Sequence, residues 1–400
     1  MGINFYRLWV SQILSQVTVN MMNFLLLAKL FNATGSSIAT SLLWVSYALP
    51  AIFFGPIGAG VVDLVSRRKT LIITNFLQAV VIFLYIFGHN YSVFLLFAVV
   101  LAYSFLNQFY VPAENASLPS LVSKEKLTKA NSLFFLTQQL ALVIGFGFAG
   151  IIEKLIGFEG SLILASSLLF IAFLAVYLLP KMQPKKELPQ NWEDLIKIFF
   201  DHLIDGYKFI KNKKTILYPI VLLFSIQVGL AIITANLPSI ASEILNVSTS
   251  YVGLLVVVPA GIGAVIGSLF LSKLLKIGWR KKKIIDLSLA ILGLSVLGLV
   301  FGKLASTPIL VVLVGIGFVG VNIPTLTFLQ ENTPEWLRGR VFGNLWFLIT
   351  IATIFPVMFS GVISEFFGVK TLLTILSLGV ILILMYSLKN GQKLIEENFN

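Results

Sequence analysis

Apolar residues in this chain run in blocks about 20 positions long, separated by short polar stretches that hold most of the charge. A bilayer core about 30 Å thick is crossed by about 20 residues of helix. Twelve segments meet that length, at 8–31, 40–62, 70–88, 92–112, 133–152, 161–179, 216–240, 249–275, 284–302, 307–330, 341–363 and 369–388. Some runs, such as Val252 to Pro259, are β-branched enough to pass for strands in isolation. A membrane barrel would alternate apolar and polar positions over about ten residues, and these runs do not. The pattern therefore predicts an all-α integral membrane protein with twelve transmembrane helices.

Composition agrees. The 400 residues are 58% hydrophobic and 12% charged, with a mean hydropathy of +0.95, far from the roughly 45–50% apolar and 25% charged of soluble domains. There is no Cys, and the only His are His89 and His202. Disulfide scaffolds, thiolate metal sites and Cys nucleophiles are thereby excluded, and a Ser-His relay is nearly so. No H-E-x-x-H, G-x-S-x-G, P-loop or paired intramembrane carboxylates occur, so neither an enzyme nor an ATP-driven pump is expected, and no cofactor or metal.

A net charge of +12 would suit a nucleic-acid partner, but its placement argues otherwise. Of the 29 Lys and Arg, 25 fall in connections on one side of the twelve segments; Lys29, Lys154, Lys303 and Lys370 are left for the other. Basic loops stay cytoplasmic, so both termini are expected in the cytoplasm, in a multi-pass protein of the plasma or inner membrane with no nucleic-acid partner. The first segment carries Gln12, Gln16, Asn20 and Asn23. It is too long and too polar for a cleaved signal and is expected to remain.

Landmarks recur at a nearly constant offset. The basic clusters that begin at Arg67 and Arg280 lie 213 residues apart, as do Asn131 and Asn344; Glu114-Asn115 and Glu331-Asn332 lie 217 apart. Three markers at nearly one spacing suggest duplication. The chain divides on this reading into a six-helix bundle at 1–180, a cytoplasmic linker at 181–215 and a second bundle at 216–400. Within the linker Trp192, Leu195, Ile196, Phe199, Leu203 and Ile210 share a helical face, which predicts an amphipathic helix on the membrane surface.

Between the second and third segments stands Gly58-Ala59-Gly60-Val61-Val62-Asp63-Leu64-Val65-Ser66-Arg67-Arg68-Lys69. An acid and two arginines at a membrane edge are costly unless they pair. This stretch resembles the loop-2/3 signature of the major facilitator superfamily, G-x-L-x-D-R-x-G-R-R/K, with Asp63, Arg67 and Arg68 on its acidic and basic positions. The first Gly is replaced by Ala59, the following Arg by Leu64 and the second Gly by Ser66. The resemblance implies a cytoplasmic gate in which Asp63 faces the eleventh helix and Arg67 pairs with Glu114 at the end of the fourth. Glu331, Arg338 and Arg340 are the counterparts in the second half.

The run Pro112 to Val122 with Leu127 to Leu133 is similar to the loop-4/5 pattern of the macrolide-efflux and enterobactin-exporter branch, and Glu331 to Gly343 to its loop 10/11. Small residues at Ala141, Gly145, Ala149 and Gly150 leave one face of the fifth segment bare for close packing. This face resembles the family's antiporter motif, with Phe146 in place of its Pro.

Polar residues line two of the four segments that border the central cavity in this family. Gln16, Asn20 and Asn23 fall at i, i+4, i+7 in the first, and Tyr103, Asn107, Tyr110 and Glu114 at i, i+4, i+7, i+11 in the fourth. Gln138, Gln139, Gln227, Asn236 and Asn322 complete the candidate substrate surface. No acid or base sits near the middle of any span, so a strongly charged cargo would meet no buried counter-charge at mid-membrane. The expected function is a monomeric secondary transporter working by alternating access and exporting an amphipathic organic compound, drug or siderophore-like, with proton antiport as the candidate coupling. A lipid or lysophospholipid flippase and an uncoupled facilitator are the alternatives on the same fold.

Overall fold

The computed structural model describes residues 1–182, 214–302 and 304–395, with backbone alone at 56, 59–64, 124, 128, 214–216, 272, 335–340, 343–344 and 390–395. Every regular element among them is helical. The first half holds α1 (Ile3–Thr34), α2 (Ser37–Leu64), α3 (Arg67–Gly88), α4 (Val93–Leu121) and α5 (Lys124–Tyr177). The second half holds α6 (Lys214–Ala235), the short α7 (Leu237–Ile240), α8 (Val258–Lys276), α9 (Lys281–Phe301), α10 (Thr307–Glu331), α11 (Glu335–Phe367) and α12 (Val369–Ile395). The amphipathic run predicted over 192–210 lies outside the described residues.

Among the described residues, eleven helical runs are long and apolar enough to cross a bilayer. One of them, α5, spans 54 residues, about 80 Å at 1.5 Å per residue and far more than one crossing needs. It breaks at Gly157, where φ 76 and ψ 170 leave the helical region. The legs 124–156 and 158–177 cover the fifth and sixth predicted segments. The sequence suggested a loop here. Instead the connection is helical on both sides, and a single residue makes the elbow because only glycine holds that conformation at little cost.

The β-branched run at 252–259 is also helical. A 3-10 turn at Thr249–Tyr251 and a π turn at Gly253–Val257 lead directly into α8. Within lipid each peptide group must find its partner inside the segment, and a wider helical turn does so where an isolated strand could not.

Two compact units emerge from the packing. One comprises Met1–Gly35 and Leu42–Phe199, the other Ser36–Ser41 and Phe200–Asn400. In the first, α1 lies chiefly along α5, and α3 against α4 and α5. Its core near the basic loops gathers Phe5, Leu8, Leu71, Tyr110, Ala113, Phe134 and Val176. In the second, α10 packs on α8 and α9, and α9 on α12, around Tyr218, Leu222, Ile226, Ile285, Leu289 and Val321. The first turn of α2 belongs to this second unit. There Glu365 Oε2 accepts from the Ser36 hydroxyl at 2.5 Å and from the Ile38 amide at 3.0 Å, a carboxylate set against a helix N-terminus.

The duplication read from the sequence has a packing counterpart. A Cβ at Gly58 of α2 would lie 2.0 Å from the Gln108 carbonyl oxygen of α4, and one at Gly263 of α8 would lie 2.0 Å from the Val312 carbonyl oxygen of α10. Second and fourth helices of each half thus cross at backbone contact, at glycines 205 residues apart in sequence.

Gly157 supplies a direct test. No atom lies within 4 Å of a Cβ built there, so Gly157→Ala should cost backbone strain alone, about 1–3 kcal/mol. The expected result is a lower thermal unfolding midpoint in detergent. An unchanged midpoint would show that the elbow relaxes without penalty.

Candidate functional site

The polar positions of α1, α3 and α4 meet in the interior of the first unit. Asn75 Nδ2 donates to Ser11 Oγ at 3.0 Å; Ser11 Oγ lies 3.3 Å from the Tyr110 hydroxyl; Tyr110 donates to Glu114 Oε1 at 2.9 Å. All four residues are buried, Glu114 to 3% exposure and the others to 0%. The amide has its donors fixed on Ser11, so a consistent chain of donors runs from Asn75 to the carboxylate. Further along α4, Tyr103 donates to Asn23 Oδ1 of α1, and Gln78 of α3 donates to the Tyr103 carbonyl at 3.2 Å. Tyr47 of α2 packs on Tyr103 with ring centroids 5.9 Å apart, and Trp44 packs edge-on to Tyr47 at 6.1 Å.

A cavity of about 170 Å³ opens at the Glu114 end of this tract. Its walls come from α1 (Gln12, Gln16), α4 (Val111, Glu114, Asn115) and the first leg of α5 (Asn131, Phe134, Phe135, Gln138). Gln12 Nε2 donates to the Phe134 carbonyl at 3.1 Å, which orients the amide and leaves Gln12 Oε1 buried with no partner. The wall between α1 and α5 is thin. At Gly145 a Cβ would come within 2.5 Å of the Val17 carbonyl oxygen, and Phe146 meets Phe24 edge-on at 5.3 Å. Ala141 and Ala149 are buried on the same face, and Gly150 with them.

Basic residues bind the helix ends at the mouth of this region. Arg67, at the start of α3, donates from Nη1 to the Ala116 carbonyl near the end of α4 at 2.8 Å. Arg68 Nη2 donates to the Tyr177 carbonyl at 2.5 Å with its guanidinium 5.4 Å from that ring, and Arg7 donates to the Leu178 carbonyl at 2.8 Å. Two arginines thus cover the C-terminal carbonyls of α5, where positive charge is favoured. In the second unit the corresponding bridge joins Lys281, at the start of α9, to Glu331, at the end of α10.

The family model described as Major Facilitator Superfamily matches residues 8–356. The chain belongs to the major facilitator superfamily. Its relatives include the uncharacterized MFS-type transporter YfmI of Bacillus subtilis, 23% identical with 96% of this chain and 95% of that one covered. Macrolide efflux protein A of Streptococcus pyogenes is also 23% identical, over 92% of this chain and 91% of its own. Among solved structures, the bacterial homolog of the human lysosomal transporter Spinster superposes with a TM-score of 0.77, covering 100% of this chain and 99% of that one at 11% identity. At that identity the likeness speaks for the fold alone. As a member of a transporter family, this chain is a multi-pass membrane transporter and not an enzyme.

The superfamily member's predicted site residues are distributed as follows. Gln16, Gln138 and Glu114 border the cavity; Asn23, Tyr103 and Tyr110 belong to the buried tract. Asn20 turns its amide to the Gln16 carbonyl of its own helix at 2.8 Å. Asn107 is half-buried on α4, and Gln139 is exposed beside Gln138. In the second unit Asn236 donates to Ser360 Oγ at 2.9 Å, a helix-to-helix bond, while Gln227 and Asn322 are half-buried. Asp63, Arg338 and Arg340 lie on described helices, but their side chains are outside the described residues.

Sequence reasoning passed over Gln12, Ser11, Asn75 and Asn131 as cavity or network residues. Gln12 was detectable, since it sits four positions before Gln16 and extends the same stripe. Asn75 and Gln78 form an i, i+3 polar pair in an apolar helix, which would have marked α3 as part of the interior. At the opposite end of the first unit, Lys29 Nζ donates to His89 Nδ1 at 2.6 Å and His89 Nε2 lies 3.0 Å from Glu159 Oε1. This joins α1, α3 and the elbow of α5 and had no sequence signal, because the three residues lie far apart in the chain.

Tyr110→Phe keeps the ring and removes the hydroxyl that Glu114 uses. Leaving that buried carboxylate short of a donor should cost about 1–3 kcal/mol. Denaturant or thermal unfolding in detergent would read the loss as a lower midpoint. No change would mean that Glu114 draws its stability from elsewhere.

Proposed function

We propose that this transporter exports an amphipathic organic compound by alternating access, with the two six-helix bundles at 1–180 and 216–400 rocking about the 181–215 connection. The observation that carries this reading is the relationship to macrolide efflux protein A over 92% of the chain. The interior of the first unit suits such a cargo. It sets aromatic rings of Trp44, Tyr47 and Tyr103 beside amide groups, the mix of apolar wall and few polar groups found in small-molecule sites.

On this reading the basic loops are cytoplasmic, both termini lie inside, and the protein acts as a monomer. Asp63, Arg67, Arg68 and Glu114 form the cytoplasmic gate, with Glu331, Arg338 and Arg340 as its second-half counterpart. The Arg67 bond to the Ala116 carbonyl supports a gate that ties α3 to the end of α4. Any coupling proton requires a titratable group within the transport region, and among the described residues Glu114 is a buried carboxyl group there.

Two measurements test the reading. Tyr91 is 85% exposed on the loop after α3, and Asn246 is exposed after α7. Tyr91→Cys and Asn246→Cys should react with an impermeant thiol reagent from outside intact cells, and Lys181→Cys should not; the opposite pattern would reverse the topology. In everted vesicles, a macrolide should accumulate when a pH gradient is imposed, and Glu114→Gln should abolish the gradient response. Movement of lysophospholipid but not macrolide would instead select the flippase, and movement indifferent to the gradient in wild type would select the facilitator.

A further inference from the structure

The connection between α8 and α9 carries more positive charge than the fold around it uses. Lys273, Lys276, Arg280, Lys281, Lys282 and Lys283 put six cations into eleven residues. Two of them meet carboxylates: Lys281 pairs with Glu331, and Lys282 with Asp286. No ion pair among the described residues engages the other four, and all four are exposed. The first turn of α9 holds three lysines and no acid, although positive charge is unfavourable at that end of a helix. The equivalent connection of the first half spends its charge differently. There Arg67 is buried and donates to the Ala116 carbonyl, and Arg68 donates to the Tyr177 carbonyl. Those arginines fasten helix ends, whereas the exposed four of the second half are left without a counter-charge.

Depth in the bilayer selects that counter-charge. Both α8 and α9 are long and apolar enough to span, and only residues 277–280 join them. Such a turn reaches at most about 14 Å at roughly 3.5 Å per residue. The Trp279 amide folds back to donate to the Leu274 carbonyl at 3.0 Å, which shortens the reach further. The cations therefore stand at headgroup height rather than out in the aqueous phase. Among them Ile277 is 75% exposed, an apolar side chain that a soluble anion would leave in water and that acyl chains would cover. Lys283 Nζ lies 4.5 Å from the half-buried Trp279 ring, and tryptophan favours this same interfacial depth. Exposed cations around an exposed apolar side chain match a phosphate that carries its own hydrocarbon.

We infer that the α8–α9 turn is a docking site for an anionic phospholipid, its phosphate held by the exposed cations Lys273, Lys276, Arg280 and Lys283 and its acyl chains covering Ile277. The inference depends neither on the cargo nor on the direction of transport.

The test uses the full-length protein in phosphatidylcholine nanodiscs that contain increasing fractions of either phosphatidylglycerol or phosphatidylcholine brominated on the acyl chains. Bromine quenches nearby tryptophan, and comparing each protein with and without Trp279→Phe isolates the signal of that residue. Each cation beside an anionic headgroup is worth about fivefold in association, so brominated phosphatidylglycerol should quench Trp279 at a fraction at least about tenfold lower than brominated phosphatidylcholine. Combining Lys276→Gln, Arg280→Gln and Lys283→Gln should bring the two lipids together. Lys370→Gln, an exposed cation at the start of α12, should leave the preference intact. Should the triple variant fail to fold, Arg280→Gln alone should lower the preference about two- to fivefold.

Equal quenching by the two lipids in wild type would overturn the site. So would a preference that survives both the triple variant and Arg280→Gln, or one that Lys370→Gln reduces as much as Arg280→Gln does, since net charge rather than this turn would then be responsible. Loss of the wild-type preference on adding millimolar inorganic phosphate at constant ionic strength would overturn it in favour of a soluble-anion site. The lipid is measured without any cargo, so failure of the export reading leaves this result standing, and failure here leaves the export reading untouched.

Discussion

Hydrocarbon offers a peptide group no hydrogen-bond partner, and every level of this structure answers to that constraint. It forces the backbone into helices, including the Val-rich run at 253–257, which winds as a π turn rather than extending. It then acts on side chains. A polar group on α1, α3 or α4 must be satisfied within the bundle, so Asn75, Ser11, Tyr110 and Glu114 converge on one another. Large apolar residues such as Phe53, Phe87, Phe366 and Phe367 are more than half exposed on the outer faces. The first unit thus keeps a connected polar tract inside an otherwise apolar interior, while large apolar rings remain exposed.

The same constraint decides how helices touch. Lipid chains are as apolar as leucine, so association depends on close packing and interhelical hydrogen bonds. Gly145 lets α5 approach the α1 backbone at Val17, and Trp9 of α1 donates to Thr137 of α5 at 2.8 Å on the same seam. Close approach and hydrogen bonding are thus placed together along the helix pair that carries Gln12, Gln16 and Gln138.

The spans were legible because their signal is length and apolarity, which survive without any knowledge of neighbours. Glu114 and the Tyr103–Tyr110 stripe were legible for a related reason, since polar positions at helical spacing in an apolar segment point to the interior. What the sequence could not supply was pairing. The main-chain part of the α3–α4 contact is one such pairing: Arg67 donates to the Ala116 carbonyl, two residues beyond Glu114. Arg7 and Arg68 both cover carbonyls at the end of α5. These partners are main-chain atoms, exposed by the geometry of a helix terminus, and residue identities do not encode them. Gly157 was missed as an elbow because a lone glycine gives the same signal in a loop, a kink or a tight crossing.

Comparing the two halves shows how duplication separates support from chemistry. In each, a basic residue at the start of the third helix reaches the end of the fourth: Arg67 to Ala116, and Lys281 to Glu331. In the second half the acid itself serves as the partner, and Glu331 is turned outward with its side chain 54% exposed. In the first half Arg67 reaches a backbone carbonyl at that helix end, and the acid at the corresponding landmark, Glu114, is 3% exposed with Tyr110 as a donor. A guanidinium suits this division of labour, because its planar fork offers several donors to fixed carbonyl geometry where a single ammonium favours a carboxylate. The arginine at position 67 thus secures the helix end through the backbone, and the first half retains a buried carboxylate beside its cavity that the second half places at its surface.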